Sequence, residues 1–431
     1  MEGERSLAMR SRAADRCRSM DVLCDTLLVE EILPRLSPKS LIRLGAVSRR
    51  YNAIVLDPDF AARYWRRAGV FFQPFQTTRC MAEGAEPGPL FLSSSRRPPA
   101  GAEDSMFGAD LTFLPAPSRR EKAYLRQVGE PVCAGSVAVI VHSAAGLLLC
   151  SRGRVHPAHY YVCNPVSGQW VALPELPCPS KEWQSGLLKV DTDGDASKKK
   201  PNKFQVLLFN HPLHWLKPGG CFDLRLFSSD TGLWKTVRLN PPTLVAGIFS
   251  SWSPIGQSGS AYWIVKDQQA VVYNSDKHSV EAIKLPPCFG NGLWRICIGE
   301  RHGGGLRYAI SNASVFDVWD LQTKGGGDSM WMLAHRVGIA QLLEQNLEAA
   351  DFMLGSRISI TPLGFHPTDD NVVFLGVSGE SDAVAAYSIE NGIMSLHQLT
   401  RSYFLRSTDM FPYVHPPYLV QIPAIKNSIP T

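Results

Sequence analysis

The sequence predicts a mainly β chain with a small all-α module at its N-terminus, the β part being a β-propeller of about six blades. Three observations carry that expectation. Apolar residues at helical spacing crowd into residues 21–68, and long amphipathic helices are scarce beyond them. From Leu111 onward, short runs of Val, Ile, Leu and aromatics are separated by Gly, Asn, Asp and Pro. Strand-turn-strand units also recur, with turns beginning near residues 164, 228, 274, 320 and 388. From 228 to 274 and from 274 to 320 the spacing is 46 residues, within the period of about 40 to 50 residues that four-stranded propeller blades show.

Residues 1–20 lack the continuous apolar segment of a secretory signal and read as a disordered leader. Asp25 and Thr26 then offer capping oxygens ahead of Leu27, Leu28, Ile32, Leu33 and Leu36, with Glu30 and Glu31 on the opposite face. Pro34 has no N–H for the Glu30 carbonyl, so this first helix should kink or end there. Ser37-Pro38 opens a second helix, because Ser37 can cap it and a proline in the first position gives up a donor that lacks a partner in any case. That helix carries Leu41, Ile42, Leu44 and Val47. Ser48 can cap a third with Tyr51, Ile54 and Val55, and Asp57-Pro58 starts a fourth through Phe60, Tyr64 and Trp65. Helices this short bury too little surface to offset their chain entropy, so something outside the module should cover their apolar positions.

Leu23, Leu27-Leu28, Glu31-Ile32-Leu33, Arg35-Leu36, Pro38, Lys39-Ser40-Leu41, Arg43-Leu44, Val47-Ser48, Ile54-Val55 and Asp57-Pro58 with Phe60 fall in one register. That register resembles the F-box, a helical module that docks on a SKP-type adaptor of a cullin–RING ubiquitin ligase. Cys24 stands where the family usually has Pro, and Tyr51 where it usually has Trp. The resemblance implies adaptor contacts from Leu23, Leu27, Ile32, Leu33, Leu36, Pro38, Leu41, Ile42 and Val47. A helical cap on a larger helical domain would instead continue the periodicity beyond Trp65, where the sequence changes character.

Residues 69–104 lose periodicity, and GAEPGPL and SSSRRPPAGAED read as an irregular connection. Phe71, Phe72 and Phe75 are too apolar for free linker and should tuck against a neighbouring domain. The propeller is expected over 105–423, with 424–431 as a tail. One small sheet cannot bury both its faces, and stacking successive sheets around an axis covers them in turn. In NPVSG and SSDTG, Asn or Asp comes early and Gly late, as a tight hairpin with one left-handed residue requires. Trp170 and Trp234 enter the outgoing strands at equivalent places, as blade-to-blade packing would demand. The wider intervals hold the polar insertion DTDGDASKKKPNK and an expected helix from Ile339 to Phe352 with Leu342, Leu343 and Leu347. Closure should come from Tyr418 to Ile422 pairing with the first blade. The string from Cys163 to Pro174 resembles the F-box-associated β-propeller of plant F-box proteins, kin in architecture to kelch-like and WD-repeat propellers. Consistent Gly-Gly doublets and Trp-Asp ends are absent.

With 44 basic and 39 acidic residues and a net charge of +5, the chain suits neither a nucleic-acid surface nor an acidic tail. No apolar run reaches the roughly eighteen residues of a membrane span. The ten cysteines scatter from Cys17 to Cys297 without a C-x-x-C pair, the usage of buried free thiols in a reducing cytosol or nucleus. Neither His156/His159 nor His211/His214 has a third ligand nearby, and Asp191, Asp193 and Asp195 lack the Glu that would close a calcium loop. The glycine runs at 303–305 and 325–327 lack the strand-to-helix setting of a phosphate cradle, and Lys198 to Lys200 read as a solvated loop tip. No G-x-S-x-G elbow, phosphate loop or H-E-x-x-H is present, so no metal, cofactor or catalytic set is expected. The reading is a non-catalytic receptor whose helices dock on the adaptor and whose propeller loops meet a target protein, with Trp183, Trp215 and Trp252 as candidate anchors. Its competitors are a non-degradative scaffold and a propeller enzyme, the latter needing His, Asp or Glu to converge on the axis.

Overall fold

Asn164, Ser228, Asn274 and Ser388 each end a strand, and each turns the chain with its own side chain. The Asn164 Oδ1 accepts from the Val166 and Ser167 N–H groups at 2.9 and 3.2 Å, and the Asn274 Oδ1 from Asp276 and Lys277 at 3.0 and 2.9 Å. The Ser228 and Ser388 hydroxyls accept more weakly from Asp230 and Asn391, at 3.3 and 3.4 Å. Gly168 and Gly232 then take φ of 70°, the left-handed residue that the two sequence strings call for. These hairpins belong to a computed structural model that describes residues 24–73, 89–92, 111–128, 138–175, 183–191, 203–210, 222–239, 259–287, 294–352, 359–378, 382–399, 405–416 and 420–425, apart from short gaps inside those stretches.

Six antiparallel sheets are formed among the described residues. Strands β1 (Arg67–Phe72) and β2 (Leu90–Leu92) come first in the chain. The first blade is β3 (Val139–Ala144), β4 (Leu147–Arg152), β5 (His159–Asn164) and β6 (Gln169–Ala172). The second is β7 (Trp183–Asp191), β8 (Lys203–Asn210), β9 (Phe222–Ser228) and β10 (Leu233–Leu239). The third shows β11 (Ser260–Val265), β12 (Gln269–Asn274) and β13 (Ser279–Lys284). The fourth is β14 (Arg295–Glu300), β15 (Leu306–Ser311), β16 (Val315–Thr323) and β17 (Ser329–Gly338). The fifth is β18 (Ser359–Phe365), β19 (Val372–Ser378), β20 (Asp382–Ser388) and β21 (Met394–Gln398).

The sixth sheet joins the two ends of the chain. β22 (Met410–His415) pairs antiparallel with β1, from Arg67 against His415 to Phe72 against Met410, and β1 pairs in turn with β2. Two sequence expectations are corrected here. Residues 69–104 are not only a connection, since they supply most of β1 and all of β2, and Val70, Phe71 and Phe72 are fully buried. Closure falls to β22 rather than to residues 420–422, while Tyr418 and Leu419 lie outside the described residues. Val420 instead accepts a bond from the Asn164 Nδ2 at 2.9 Å, and Val420 and Ile425 pack against the first two blades, so the expected tail is docked at Ile425.

Apolar clusters fill the space between consecutive sheets, which is why no sheet needs two polar faces. Leu149 and Val162 of the first blade meet Val206 and Phe227 of the second, and Leu207 and Leu224 meet Val271 and Tyr273 of the third. Ile264 meets Tyr308, Val318 meets Val373 and Leu375, and Phe374 meets Phe72 of the closing sheet. The innermost strands come close together: a Cβ on Gly299 would stand 2.7 Å from the Phe365 ring, so β14 and β18 approach at a position only glycine fits. Trp234 donates its indole N–H to the Pro174 carbonyl at 3.0 Å, and Trp331 donates to Lys284 at 2.7 Å, each tying an outer strand to the end of the preceding blade. Trp170 packs edge-on against Tyr161, 5.9 Å between centroids.

The helical parts depart from expectation in detail. The first run is α-helical over Asp25–Leu27, π over Leu28–Ile32 and 3-10 over Leu33–Arg35, loosening where Pro34 withholds a donor and ending one residue later. Helices α1 (Pro38–Val47) and α2 (Arg49–Val55) follow, but the Ser48 side chain makes no capping bond to α2. Helix α3 (Arg119–Gln127) was not expected, and its reciprocal cap between Ser118 and Glu121 is complete. The helix expected over Ile339 to Phe352 is two, α4 (Ile339–Glu344) and α5 (Leu347–Phe352). Asn346 between them donates to Gly392 and accepts from Met394 at 2.9 and 2.7 Å, pinning the break to the fifth blade.

His142 of β3 is buried, and loss of hydration pushes its pKa down to about 4. Above pH 6.5 it is neutral whether folded or not; as pH falls toward 4 the unfolded chain takes up a proton that the folded chain refuses. Stability should therefore drop by up to about 3 kcal/mol across that window. Denaturant midpoints at pH 7 and pH 5 test this, and His142→Phe should flatten the difference. An equal drop in the variant would assign the loss to other groups.

Candidate docking surface

The N-terminal helices turn one face inward. Leu28, Leu33 and Leu41 are at most 1% exposed, and with Tyr51, Val55, Phe60 and Tyr64 they form one cluster with Tyr161, Cys163, Val166, Phe411 and Tyr413. The cover that these short helices need is thus supplied in large part by the first and closing blades. Polar links hold the helices of the module to one another. Asp57 Oδ1 accepts from the Asp59 and Phe60 N–H groups at 3.0 Å, starting the turn that stacks Phe60 on Tyr64 at 5.4 Å. Tyr64 donates its hydroxyl to the Leu36 carbonyl, and the Arg50 guanidinium reaches the Asp25 carboxylate at 2.7 Å.

This geometry sorts the expected adaptor contacts. Leu33 and Leu41 are enclosed by their own chain, at most 1% exposed. Ile32, Leu36 and Ile42 are half-buried against the cluster. Leu27 is 41% exposed and Val47 81%. Leu56, just past α2, is 44% exposed as well; it follows the Ile54-Val55 pair without a helical interval of its own, so the sequence spacing does not single it out. Pro38 opens α1, and Leu23 lies outside the described residues.

The expected target anchors fare differently. Trp183 is the first residue of β7, opposite Asn210, and Trp215 and Trp252 lie outside the described residues. Toward the axis, a cavity between β14, β18 and β22 is lined by Gly299, Glu300, Arg301, Phe365, Ser407 and Met410. Arg301 at its lining belongs to a group of paired charges. Arg301 bonds Asp370 at 2.8 Å and approaches Asp320 at 3.4 Å, while buried Arg307 grips Asp320 at 2.7 and 3.1 Å. Partial burial works to raise the Asp370 pKa, yet the Arg301 guanidinium and the His302 N–H outweigh it and hold the carboxyl below its usual range. Charges paired in this way brace the fourth and fifth blades. Among the described residues no three His, Cys, Asp or Glu side chains are gathered so as to hold a metal ion, and no helix is long and apolar enough to cross a membrane.

The sequence model of the family described as F-box protein At3g26010-like, beta-propeller, matches residues 120–407. That span leaves out β1, β2 and β22, the strands that close the ring. F-box protein At5g03970 of Arabidopsis thaliana is 27% identical over 341 residues, covering 77% of this chain and 72% of its own length. Solved structures are more distant. YCF48 bound to a D1 peptide has a TM-score of 0.31 at 9% identity, covering 62% of this chain and 68% of its own. A protein from Lactobacillus plantarum has a TM-score of 0.36 at 12% identity, covering 80% and 100%. At those scores neither bears on fold or ligand. The family match takes in most of the chain, from α3 through the fifth blade, and this protein belongs to the F-box protein At3g26010-like β-propeller family.

Proposed function

We propose that this protein is a substrate-recognition subunit of a SKP–cullin–F-box ubiquitin ligase, working in the cytosol or nucleus. The helical module docks on the adaptor through Leu27, Val47 and Leu56, with Ile32, Leu36 and Ile42 at the edge of the contact. The propeller presents a target protein. The observation that carries this reading is the division of the module's apolar residues: one set is built into the propeller core, and another is left in solvent on the helices and the turn that follows them. This chain makes and breaks no bond. It holds a target lysine near a loaded enzyme supplied by other subunits and so raises the effective concentration of the reacting groups.

Val47→Asp in the full chain tests the docking. It places a charge in the contact without touching the core, so capture of a purified plant SKP-type adaptor should fall at least tenfold while the melting temperature stays within a degree or two of wild type. Leu41→Asp should instead lower the melting temperature, because its side chain is enclosed. Wild-type capture by Val47→Asp would rule out this surface.

A further inference from the structure

Among the described residues, each blade ends in an outer strand whose far edge has no neighbour in its sheet, a feature that invites pairing with other chains unless it is blunted. Most of the outer edges here are blunted. β2 is three residues long and β6 four, β10 carries Lys235 and Arg238, β13 carries Glu281 and Lys284, and β21 is five residues long with His397. β17 is different. It runs ten residues; His335, Arg336 and a bulge opposite Val318 and Trp319 blunt its last part, but the first six residues, Ser329 through Ala334, hold no charge.

Its side chains are also unusual. Met330, Met332 and Leu333 are 43%, 41% and 41% exposed. The register with β16 sets Met330 and Met332 beside Gln322 and Asp320 on one face, and Trp331 and Leu333 beside Leu321 and Trp319 on the other. Trp331 is held by its bond to the Lys284 carbonyl, so that face is fixed, while the two methionines are unbranched and adapt to what meets them. A free edge thus lies between two apolar flanks.

We propose that β17 is a docking edge for an extended, uncharged, proline-free segment of a partner protein, which adds to the fourth blade as a fifth strand. Its backbone would pair with the outward N–H and C=O groups of β17, and its alternate side chains would lie against Met330 and Met332 on one face and Leu333 on the other. The area favours such a segment over a second copy of this chain. An edge of ten residues is about 34 Å long and about 10 Å deep, so two paired copies would cover roughly 700 Å², short of the about 1,200 Å² at which stable interfaces begin. As the place where a ligase receptor captures its target, the edge rests on the function proposed above; as a peptide-binding edge it does not.

The test uses the full-length chain and a labelled ten-residue peptide of alternating Val, Thr and Ile with terminal lysines, together with a copy bearing proline at two central positions. The wild type should bind the first peptide at least tenfold tighter than the proline copy. Met332→Lys should weaken that binding at least tenfold, Leu233→Lys on the charged β10 edge should leave it unchanged, and light scattering should give the mass of one chain. Absence of binding, equal binding of the two peptides, unchanged binding by Met332→Lys, or a dimer that Met332→Lys dissolves would each overturn the proposal. Adaptor capture is read on the same samples. Its loss with peptide binding intact counts against the receptor role, and the reverse counts against this edge.

Discussion

A chain lacking residues 1–104 should lose its cooperative unfolding transition, whereas one lacking only residues 1–66 should keep a single transition at a lower temperature. The difference lies in β1 and β2. Without them β22 stands alone in the closing sheet and the fifth and first blades face solvent across the gap. Phe71 shows the scale of the loss: it is fully buried, with the rings of Phe91 and Tyr413 each 5.1 Å away. Truncating one such ring to alanine typically costs about 3–5 kcal/mol, against a total stability on the order of 5–15 kcal/mol. Phe71→Ala in the full chain should accordingly lower the denaturant midpoint by a large fraction, and deletion of both strands should exceed what the remainder can carry. A fragment of residues 105–431 that melts cooperatively at the full-length temperature would show that the ring does not need its N-terminal strands.

The closing strands were the part of the fold that the sequence concealed, and the reason is distance along the chain. The recurring turns could be read because everything that makes them is local: an Asn or Ser oxygen, two or three N–H groups beyond it, and a glycine with φ of 70° at Gly168 and Gly232. β1 finds its partner at β22, more than three hundred residues later, and β2 is only three residues long amid Gly, Pro and Ser, so no pattern in residues 69–104 announces a sheet. Helix α3 was missed for another reason. Its Ser118-x-x-Glu121 cap is a local signal, but a highly charged helix with one buried residue, Leu125, has too little apolar periodicity to stand out in a β context.

At the docking surface the limit is of a third kind. Helical spacing identifies Leu41 and Val47 as apolar positions of α1 without distinction, and only the packing of the propeller against one of them separates an enclosed residue from one that is 81% exposed. The pattern therefore marks the module, and tertiary contact decides which of its residues remain for a partner. The same holds at β17, which only the sheet order places at the outside of its blade.

Asp320→Ala should be the most damaging single change to the packing between the fourth and fifth blades. The Arg307 side chain is only 5% exposed; Asp320 takes two of its N–H groups, a third goes to the Asp370 carbonyl, and the guanidinium lies 5.8 Å from the Phe365 ring centre. Removing the carboxylate leaves a buried cation with one neutral acceptor and also takes from Arg301 the partner 3.4 Å away. Breaking a buried pair by losing one member typically costs about 3–5 kcal/mol, while replacing both by well-packed apolar residues is often close to neutral. Arg307→Met combined with Asp320→Leu should accordingly recover most of the stability that Asp320→Ala removes. Because the pair is shielded from solvent, the deficit of the single variant should change little between about 0.05 and about 0.5 M salt. Equilibrium unfolding of the three chains decides the matter: a single variant within about 1 kcal/mol of wild type, or a double variant no more stable than the single, would show that Arg307 and Asp320 do not hold the two blades together.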